Sequence, residues 1–110
     1  MKTTEAIRDI GETTFAAEVL GSPVPVLVEY WAEWCAPCRM MAPLLEESAR
    51  SYGERVTIAR VNIDENPQLA SRYHVRSIPT MMMFRDGAPA ATLVGAVNRS
   101  RLEQLIEAQL

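Results

Sequence analysis

Two cysteines, Cys35 and Cys38, are the residues of this chain best suited to chemistry. They are its only cysteines and stand three positions apart, in the segment Trp34-Cys35-Ala36-Pro37-Cys38. An apolar run precedes them and a helical pattern follows, which puts Cys35 at or just before a helix N-terminus. The free backbone N–H groups and the helix dipole there favour a thiolate over a thiol. Cys38 lies one helical turn further in, close enough to form a disulfide with Cys35.

This spacing predicts dithiol–disulfide exchange, with Cys35 as the nucleophile and Cys38 as the resolving thiol. The Cys35 thiolate attacks a disulfide sulfur, and Cys38 then attacks Cys35 and releases the reduced substrate. The alternatives are half of a zinc site and a purely structural disulfide. Zinc normally takes four ligands, and His74, the only histidine, is distant in sequence. A bridge that closes so short a loop restrains little chain entropy, so exchange is the preferred interpretation and no metal site is predicted.

Glu29 is the most informative residue besides the cysteines, because it interrupts an apolar run at 25–31. A carboxyl group on a buried strand is desolvated, which favours its neutral form and raises its pKa. We hypothesise that Glu29 exchanges a proton with Cys38 while the mixed disulfide is resolved. Arg60 is the candidate partner cation. The alternatives are an outward-facing Glu29 near a strand end, paired with Arg60 or solvated, and an Arg60 with an ordinary role at a strand edge.

Four further residues are candidates for substrate binding. Trp34 lies beside Cys35 and is expected to cover a flat apolar docking surface. Pro79 follows Ile78 at the start of a buried strand, where a proline indicates special backbone geometry, and the free backbone groups of Ile78 can pair with an extended substrate segment. Gly95 follows a strand and allows a partner to approach closely. The alternatives are a plain strand-start proline and a turn glycine.

The elements that position these residues alternate along the chain in the order β-α-β-α-β-α-β-β-α. Hydrophobic periodicity and turn residues predict strands at 5–10, 25–31, 55–61, 80–84 and 90–94. They predict helices at 12–20, 37–51, 67–73 and 99–108. Asp86-Gly87 predicts a hairpin turn, Met40 is assigned to the inner face of the second helix, and Asn66 is predicted to cap the third. This alternation predicts an α/β fold with helices on both faces of a mixed sheet.

Composition narrows the class of protein. The 110 residues suit one domain, 1–110, and 48% are hydrophobic, enough for a single core. The formal charge is −3 and basic residues form no run, so we expect no nucleic-acid surface. The N-terminus shows no apolar signal region, and no segment is long and apolar enough to cross a bilayer. Together with two cysteines of chemical rather than structural use, this predicts a cytoplasmic protein.

Over essentially its whole length the chain resembles the thioredoxin family. The matching segments are Val26–Cys38, Pro43, Val61–Pro67, Ile78-Pro79-Thr80, Gly87 and Val94-Gly95. The combination of Trp-Cys-x-Pro-Cys after a buried strand with Ile-Pro-Thr some forty residues later is specific to few families. The resemblance implies the thioredoxin fold: a five-stranded mixed sheet with strand order 1-3-2-4-5, flanked by four helices. It also implies a cis peptide bond before Pro79.

The implied function is the reduction of disulfides in other proteins by reversible exchange. Thioredoxin reductase, which draws on NADPH, is the implied electron donor, and no cofactor is expected on this chain, which has no Gly-rich dinucleotide loop. We expect a monomer whose partners are that reductase and disulfide-containing proteins. One alternative is a disulfide oxidase or isomerase, although those relatives more often carry His where Pro37 stands. Another is a binding module that uses the fold without its thiols.

Four positions depart from the family pattern. Ala36 replaces the usual Gly between the first Cys and Pro37, and by resemblance this Ala36-Pro37 pair tunes the reduction potential. Glu29 replaces the usual buried Asp, and Arg60 replaces its usual Lys neighbour. These three changes concern redox poise and proton handling, because Arg stays charged where Lys can deprotonate. Ser77 replaces a common Gly before Ile-Pro and concerns substrate docking.

Overall fold

The computed structural model describes residues 7–110, which build one five-stranded sheet covered by helices on both faces. Its strands are β1 (Ile7–Asp9), β2 (Val26–Trp31), β3 (Thr57–Asn62), β4 (Thr80–Arg85) and β5 (Ala88–Val94). Its α-helices are α1 (Ala36–Tyr52), α2 (Pro67–Arg72) and α3 (Arg99–Glu107). Two shorter helical segments are the π-helical Ala16–Leu20 and the 3₁₀ turn Gly53–Arg55. The first two residues of the strand predicted at 5–10 lie outside the described residues.

The strand order is β1-β3-β2-β4-β5, which confirms the order and the fold class that the resemblance implies. Both β1 and β2 run parallel to β3, whereas β4 is antiparallel to β2 and to β5. The central strand β2 therefore has neighbours on both edges. In this register Glu29 lies between Arg60 of β3 and Met81 of β4.

Alternation along β2 divides the core into two layers, because successive side chains of a strand point to opposite faces. Leu27 packs with Met41 and Leu45 of α1 and with residues of α3. Val28 lies on the other face, together with Phe15 near the π-helical segment. Glu29 is two residues beyond Leu27, so it shares the face that α1 covers. Because helices cover that face, the Glu29 carboxyl is desolvated, as its position in an apolar strand predicts.

Three local predictions differ from the structure. The helix expected at 12–20 is a short π-helical segment, Ala16–Leu20. Asn66 stands at the N-cap of α2 but makes no capping hydrogen bond, because its Oδ1 accepts the N–H of Glu12 instead. Met40 is 69% exposed rather than on the inner face of α1, and Met41 takes the buried position. One residue of rotation on a helix is 100°, so neighbouring methionines cannot both face inward.

The β4–β5 hairpin turns at Asp86 and Gly87, as the sequence predicts. Their φ angles are 54° and 81°, and this pair of positive values matches the twist of the flanking strands. Gly87 is also constrained by space, because an added Cβ would lie 3.2 Å from the Leu20 carbonyl oxygen. Within residues 7–110, no helix combines the length and the apolar character that a membrane crossing requires.

Candidate functional site

The two cysteines form a disulfide at the start of α1. Cys35 is the N-cap residue, with extended backbone at φ −92° and ψ 104°, and Pro37 follows within the first turn. The Cys38 N–H donates to Cys35 Sγ at 3.1 Å, so the sulfur occupies the place of a capping side-chain oxygen. A backbone donor and the helix dipole thus point at the first sulfur, which is the geometry that stabilises a thiolate.

The disulfide lies in an apolar seat. Cys35 is 4% exposed and Cys38 is fully buried, and together with Ala32 they form a small cluster of their own. Trp31 and Ile78 are among the side chains that pack against this cluster. Cys35 is therefore the more accessible of the two residues, and Cys38 is shielded from solvent.

The loop before β4 lies against this cluster through Ile78. The Ile78–Pro79 peptide bond is cis, as the resemblance implies. The Gly95 N–H donates to the Pro79 carbonyl at 2.7 Å, which ties the end of β5 to the loop, and Gly95 has a φ of 95° that favours glycine. Within the described chain, neither backbone group of Ile78 bonds to another backbone group. These groups are available to an extended segment.

Trp34 is 67% exposed beside the disulfide, and a neighbouring loop holds its ring. Its Nε1 donates to Asp64 Oδ2 at 2.9 Å. Asn62 shapes that loop, because its Oδ1 accepts the N–H groups of Asp64 and Glu65. The role of Asp64 as the partner of Trp34 was not predicted from the sequence. The available signal was topological: the carboxyl ends of the parallel strands β2 and β3 meet at one edge, so the residues after both strands become neighbours.

Glu29 is fully buried, which excludes the outward-facing alternative, although the pairing with Arg60 that this alternative included is present. Arg60 Nε donates to Glu29 Oε1 at 3.1 Å, whereas Oε2 has no hydrogen-bond partner within the described residues. Desolvation raises the pKa of Glu29 from 4.5 to about 7, and the charge and hydrogen bond of Arg60 partly oppose that rise. The Arg60 guanidinium also stacks on the Trp31 ring, 4.0 Å from its centroid, which fixes its position.

Glu29 and Cys38 belong to the same interface between sheet and helix. Cys38 and Met41 are one turn apart on the buried stripe of α1, and Met41 packs in the cluster that contains Leu27. Leu27 and Glu29 lie two residues apart on β2 and face the same side of the sheet. The buried Cys38 sulfur and the buried Glu29 carboxyl, whose Oε2 has no hydrogen-bond partner among residues 7–110, therefore both lie between sheet and helix.

The structure thus gathers the predicted docking residues at one end of the sheet. We use the name docking surface for Trp34, Ile78, Pro79 and Gly95 around the disulfide. Arg60 is not part of it and lies beneath, beside Glu29. Two further apolar side chains are exposed, Met40 on α1 and Val94 directly before Gly95. Among residues 7–110, no group of three or more His, Cys, Asp and Glu side chains is arranged to hold a metal ion.

Comparison with known proteins agrees with this geometry. A model of the thioredoxin family matches residues 6–108. Thioredoxin 1 of Nostoc sp. is 49% identical over 96% of this chain and 98% of its own length. The thioredoxins of Rhodospirillum rubrum and Pseudomonas aeruginosa are 47% and 45% identical, over 94% and 96% of this chain and 100% and 98% of their own lengths. The chain belongs to the thioredoxin family, and its Cys35–Cys38 pair is a redox-active dithiol–disulfide centre.

Proposed function

We propose that this protein reduces disulfides in other proteins through Cys35 and Cys38 and is itself re-reduced by thioredoxin reductase. The observation that carries the proposal is the Cys38 N–H aimed at Cys35 Sγ, at the N-terminus of a 17-residue helix. This arrangement favours a thiolate at Cys35, the more accessible residue, with the Cys38 thiol shielded from solvent. It serves exchange with large substrates better than a structural bridge or a metal site.

In the first step the Cys35 thiolate attacks one sulfur of the substrate disulfide. The substrate S–S bond breaks, a bond forms between Cys35 Sγ and the attacked sulfur, and the other substrate sulfur leaves as a thiolate. The helix dipole and the Cys38 N–H hold the negative charge on Cys35 before attack. The apolar docking surface excludes water around the reacting sulfurs.

In the second step Cys38 gives its proton to the Glu29 carboxylate and attacks Cys35 Sγ. The Cys35–Cys38 disulfide forms, and the remaining substrate sulfur leaves as a thiolate that water protonates. Two electrons have passed from the protein dithiol to the substrate. Glu29 suits this role because its pKa of about 7 leaves it partly ionised near neutrality, and its Oε2 is unpaired.

The remaining predicted residues set the conditions of this exchange. Ala36 and Pro37 form the first turn between the two sulfurs, where they influence the relative stability of dithiol and disulfide. Arg60 acts through Glu29, because its charge lowers the pKa that burial raises. Backbone pairing with Ile78 and apolar contact with Trp34 hold the substrate segment across Cys35.

The proposal extends to the setting in which the protein works. NADPH supplies the electrons through the reductase, so no cofactor binds this chain. The cytoplasm is the proposed location, because a dithiol that acts as a reductant needs a compartment with a reducing poise. Exchange needs one cysteine pair and one docking surface, so we propose a monomer, with residues 1–110 acting as a single domain. The family match over residues 6–108 supports that domain assignment.

The direct test is NADPH-coupled reduction of insulin disulfides in the presence of a thioredoxin reductase. We expect rapid NADPH oxidation that Cys35→Ser abolishes. A parallel reaction driven by dithiothreitol separates the chemistry from the donor. Turnover with dithiothreitol but not with the reductase would reject the donor, and a wild-type protein inactive in both would reject the function.

A further inference from the structure

A pocket of about 320 Å³ opens beside the cis peptide bond. We call it the loop pocket and define it by its lining, which is the segment 73–77 together with Thr80, Met82, Thr92 and Val94. Met82 belongs to the core layer of Val28 and Tyr30, so the pocket lies on the sheet face opposite α1. It is a separate cavity from the seat of the disulfide.

The loop pocket is continuous with the docking surface. Ser77 directly precedes Ile78, and Val94 directly precedes Gly95. Val94 is 63% exposed and pairs with Thr80 across the β4–β5 ladder. A polypeptide segment that pairs with the backbone of Ile78 therefore passes the mouth of the pocket within one or two residues.

The chemistry of the lining favours an anion. Arg76 is exposed, and among the described residues it forms no ion pair. Of the residues that line the pocket, it is the one with a permanent charge, and none is Asp or Glu. Ser77 and Thr92 add hydroxyl groups. His74 adds a ring N–H from a backbone held at φ 60°, a conformation uncommon outside glycine.

The opposite edge of the docking surface has the reverse polarity. Glu33 and Asp64 are exposed next to Trp34, and Asp64 accepts the hydrogen bond of its indole. Arg39 lies at the same edge, where its Nη1 donates to the Glu33 carbonyl oxygen at 2.8 Å, so two carboxylates face one guanidinium there. The docking surface is therefore apolar in the middle, negative at the Trp34 edge and positive at the edge formed by Arg76. Such a distribution contributes to partner selection and association rate more than to affinity.

Building on the proposed function, we infer that the loop pocket is a subsite for an acidic side chain of the protein substrate. Arg76 binds that carboxylate while the substrate cysteine faces Cys35. The protein then prefers disulfides whose flanking sequence carries Asp or Glu within a few residues of the cysteine. The preference depends on an ion pair with the exposed Arg76, so it weakens as the salt concentration rises.

The test uses the reduced full-length protein and peptides that carry one cysteine as a mixed disulfide with 5-thio-2-nitrobenzoate. Matched peptides place Glu, Gln or Lys two or three residues from the cysteine, on either side. We expect the second-order rate constant of 5-thio-2-nitrobenzoate release for the best Glu peptide to exceed that of its Gln counterpart by about two- to fivefold, the range of an exposed ion pair. Lys in the same position is expected to give the lowest value, and about 1 M salt to remove the contrast.

Variants assign the contrast to the pocket. Arg76→Gln should equalise the Glu and Gln peptides, and Arg76→Glu should reverse the order in favour of Lys. Arg50→Gln removes the same charge from the far end of α1 and should leave the contrast intact. His74→Gly removes the imidazole without backbone strain, because glycine tolerates positive φ, and should weaken the contrast.

Two results would overturn the inference. One is a Glu preference that survives Arg76→Gln, and the other is a loss of rate that is equal for all peptides. Reduction of 2-hydroxyethyl disulfide, which is small and uncharged, monitors the cysteine chemistry in every variant. Loss of that reaction in the wild-type protein would reject the proposed function itself, whereas its retention confines any failure to the subsite.

Discussion

The surroundings of Cys35 and of Glu29 have opposite effects on a negative charge. At the helix N-terminus, Cys35 Sγ faces a backbone N–H at 3.1 Å and the positive end of the helix dipole. On β2, Glu29 is buried, its Oε2 has no hydrogen-bond partner among residues 7–110, and its pKa is raised to about 7. The first region stabilises an anion, and the second resists one.

Under the proposed mechanism, this contrast lets one site hold a nucleophile, Cys35, and a proton acceptor, Glu29, at the same pH. A thiol normally ionises near pH 8.5 and a carboxyl near 4.3. With these unperturbed pKa values a carboxylate is too weak a base to take a proton from a thiol efficiently. Burial raises the pKa of Glu29 from 4.5 to about 7, and Arg60 restrains that rise. The helix N-terminus favours the charged form of the other group, Cys35. The cysteine pair can then work near neutrality without a histidine in the site.

Removing the sulfurs should have the largest effect, because both regions act on them. Cys35→Ser should reduce insulin reduction to the rate of dithiothreitol alone. Cys38→Ser should still attack but accumulate the mixed disulfide with its substrate, since no resolving thiol remains. Mass spectrometry of non-reduced samples detects that adduct. An adduct in Cys35→Ser rather than in Cys38→Ser would reverse the assigned roles.

Glu29→Gln removes the proton acceptor and keeps the shape of the side chain. We expect the resolving step, measured by stopped-flow release of substrate from the mixed disulfide, to slow on the order of a hundredfold at pH 7. In the wild-type protein that rate should rise with pH through about 7, as Glu29 ionises. Glu54→Gln, at an exposed position of the 3₁₀ turn, is the matched control. An unchanged pH profile in Glu29→Gln would remove Glu29 from the mechanism.

Burial of Glu29 also makes the stability of the fold depend on pH. The native state binds the Glu29 proton more tightly than the unfolded chain does, because the pKa is about 7 folded and 4.5 in the reference state. Its stabilising contribution is full below pH 4.5 and is lost as pH rises through 7. The difference is about 3 kcal/mol. Urea unfolding of the oxidised protein at pH 5 and pH 8 measures it.

Glu29→Gln should remove most of that slope and be more stable than the wild-type protein at pH 8. The gain should approach the same size, about 3 kcal/mol, because the amide never has to carry a buried charge. Glu54→Gln should follow the wild-type curve. Parallel curves for wild type and Glu29→Gln would show that the carboxyl is not desolvated as the structure indicates.

Substitution of Arg60 should have the smallest effect on the resolving step. Arg60→Gln removes the charge and the ion-pair hydrogen bond that lower the pKa of Glu29, so that pKa should rise further. The midpoint of the resolving-step pH profile should move upward, and the rate at pH 7 should fall several-fold. Arg60→Lys keeps the charge and should retain more of the wild-type midpoint. A downward shift in Arg60→Gln would contradict this electrostatic account.

The sequence predicted the fold and much of the site for identifiable reasons. Short apolar runs separated by turn residues identify strands well, and Asp86-Gly87 in particular has few alternatives to a tight turn. The cysteine spacing predicted a disulfide at a helix start because a strand and a helical pattern flank it. Glu29 was detectable because a carboxyl in an apolar strand is an exception that needs a partner or a proton.

What the sequence did not predict depends on contacts between distant segments. Asn66 was expected to cap α2, but Glu12 competes for its oxygen from 54 residues away. Met40 and Met41 are equally apolar, and the rotation of α1 against the sheet decides which one is buried. Asp64 supports Trp34 from the end of a neighbouring strand. None of these choices is encoded in a local pattern.

The most direct test of the account is the titration of the Glu29 carboxyl in the oxidised protein. Carbon-13 NMR of protein labelled at the glutamate side-chain carboxyl follows it, and the Glu29→Gln spectrum assigns the signal. We expect a midpoint near pH 7, well above the reference value of 4.5, because burial raises the pKa of Glu29. A midpoint close to 4.5 would contradict it, because Glu29 would then be an ordinary carboxylate and no proton acceptor matched to Cys38.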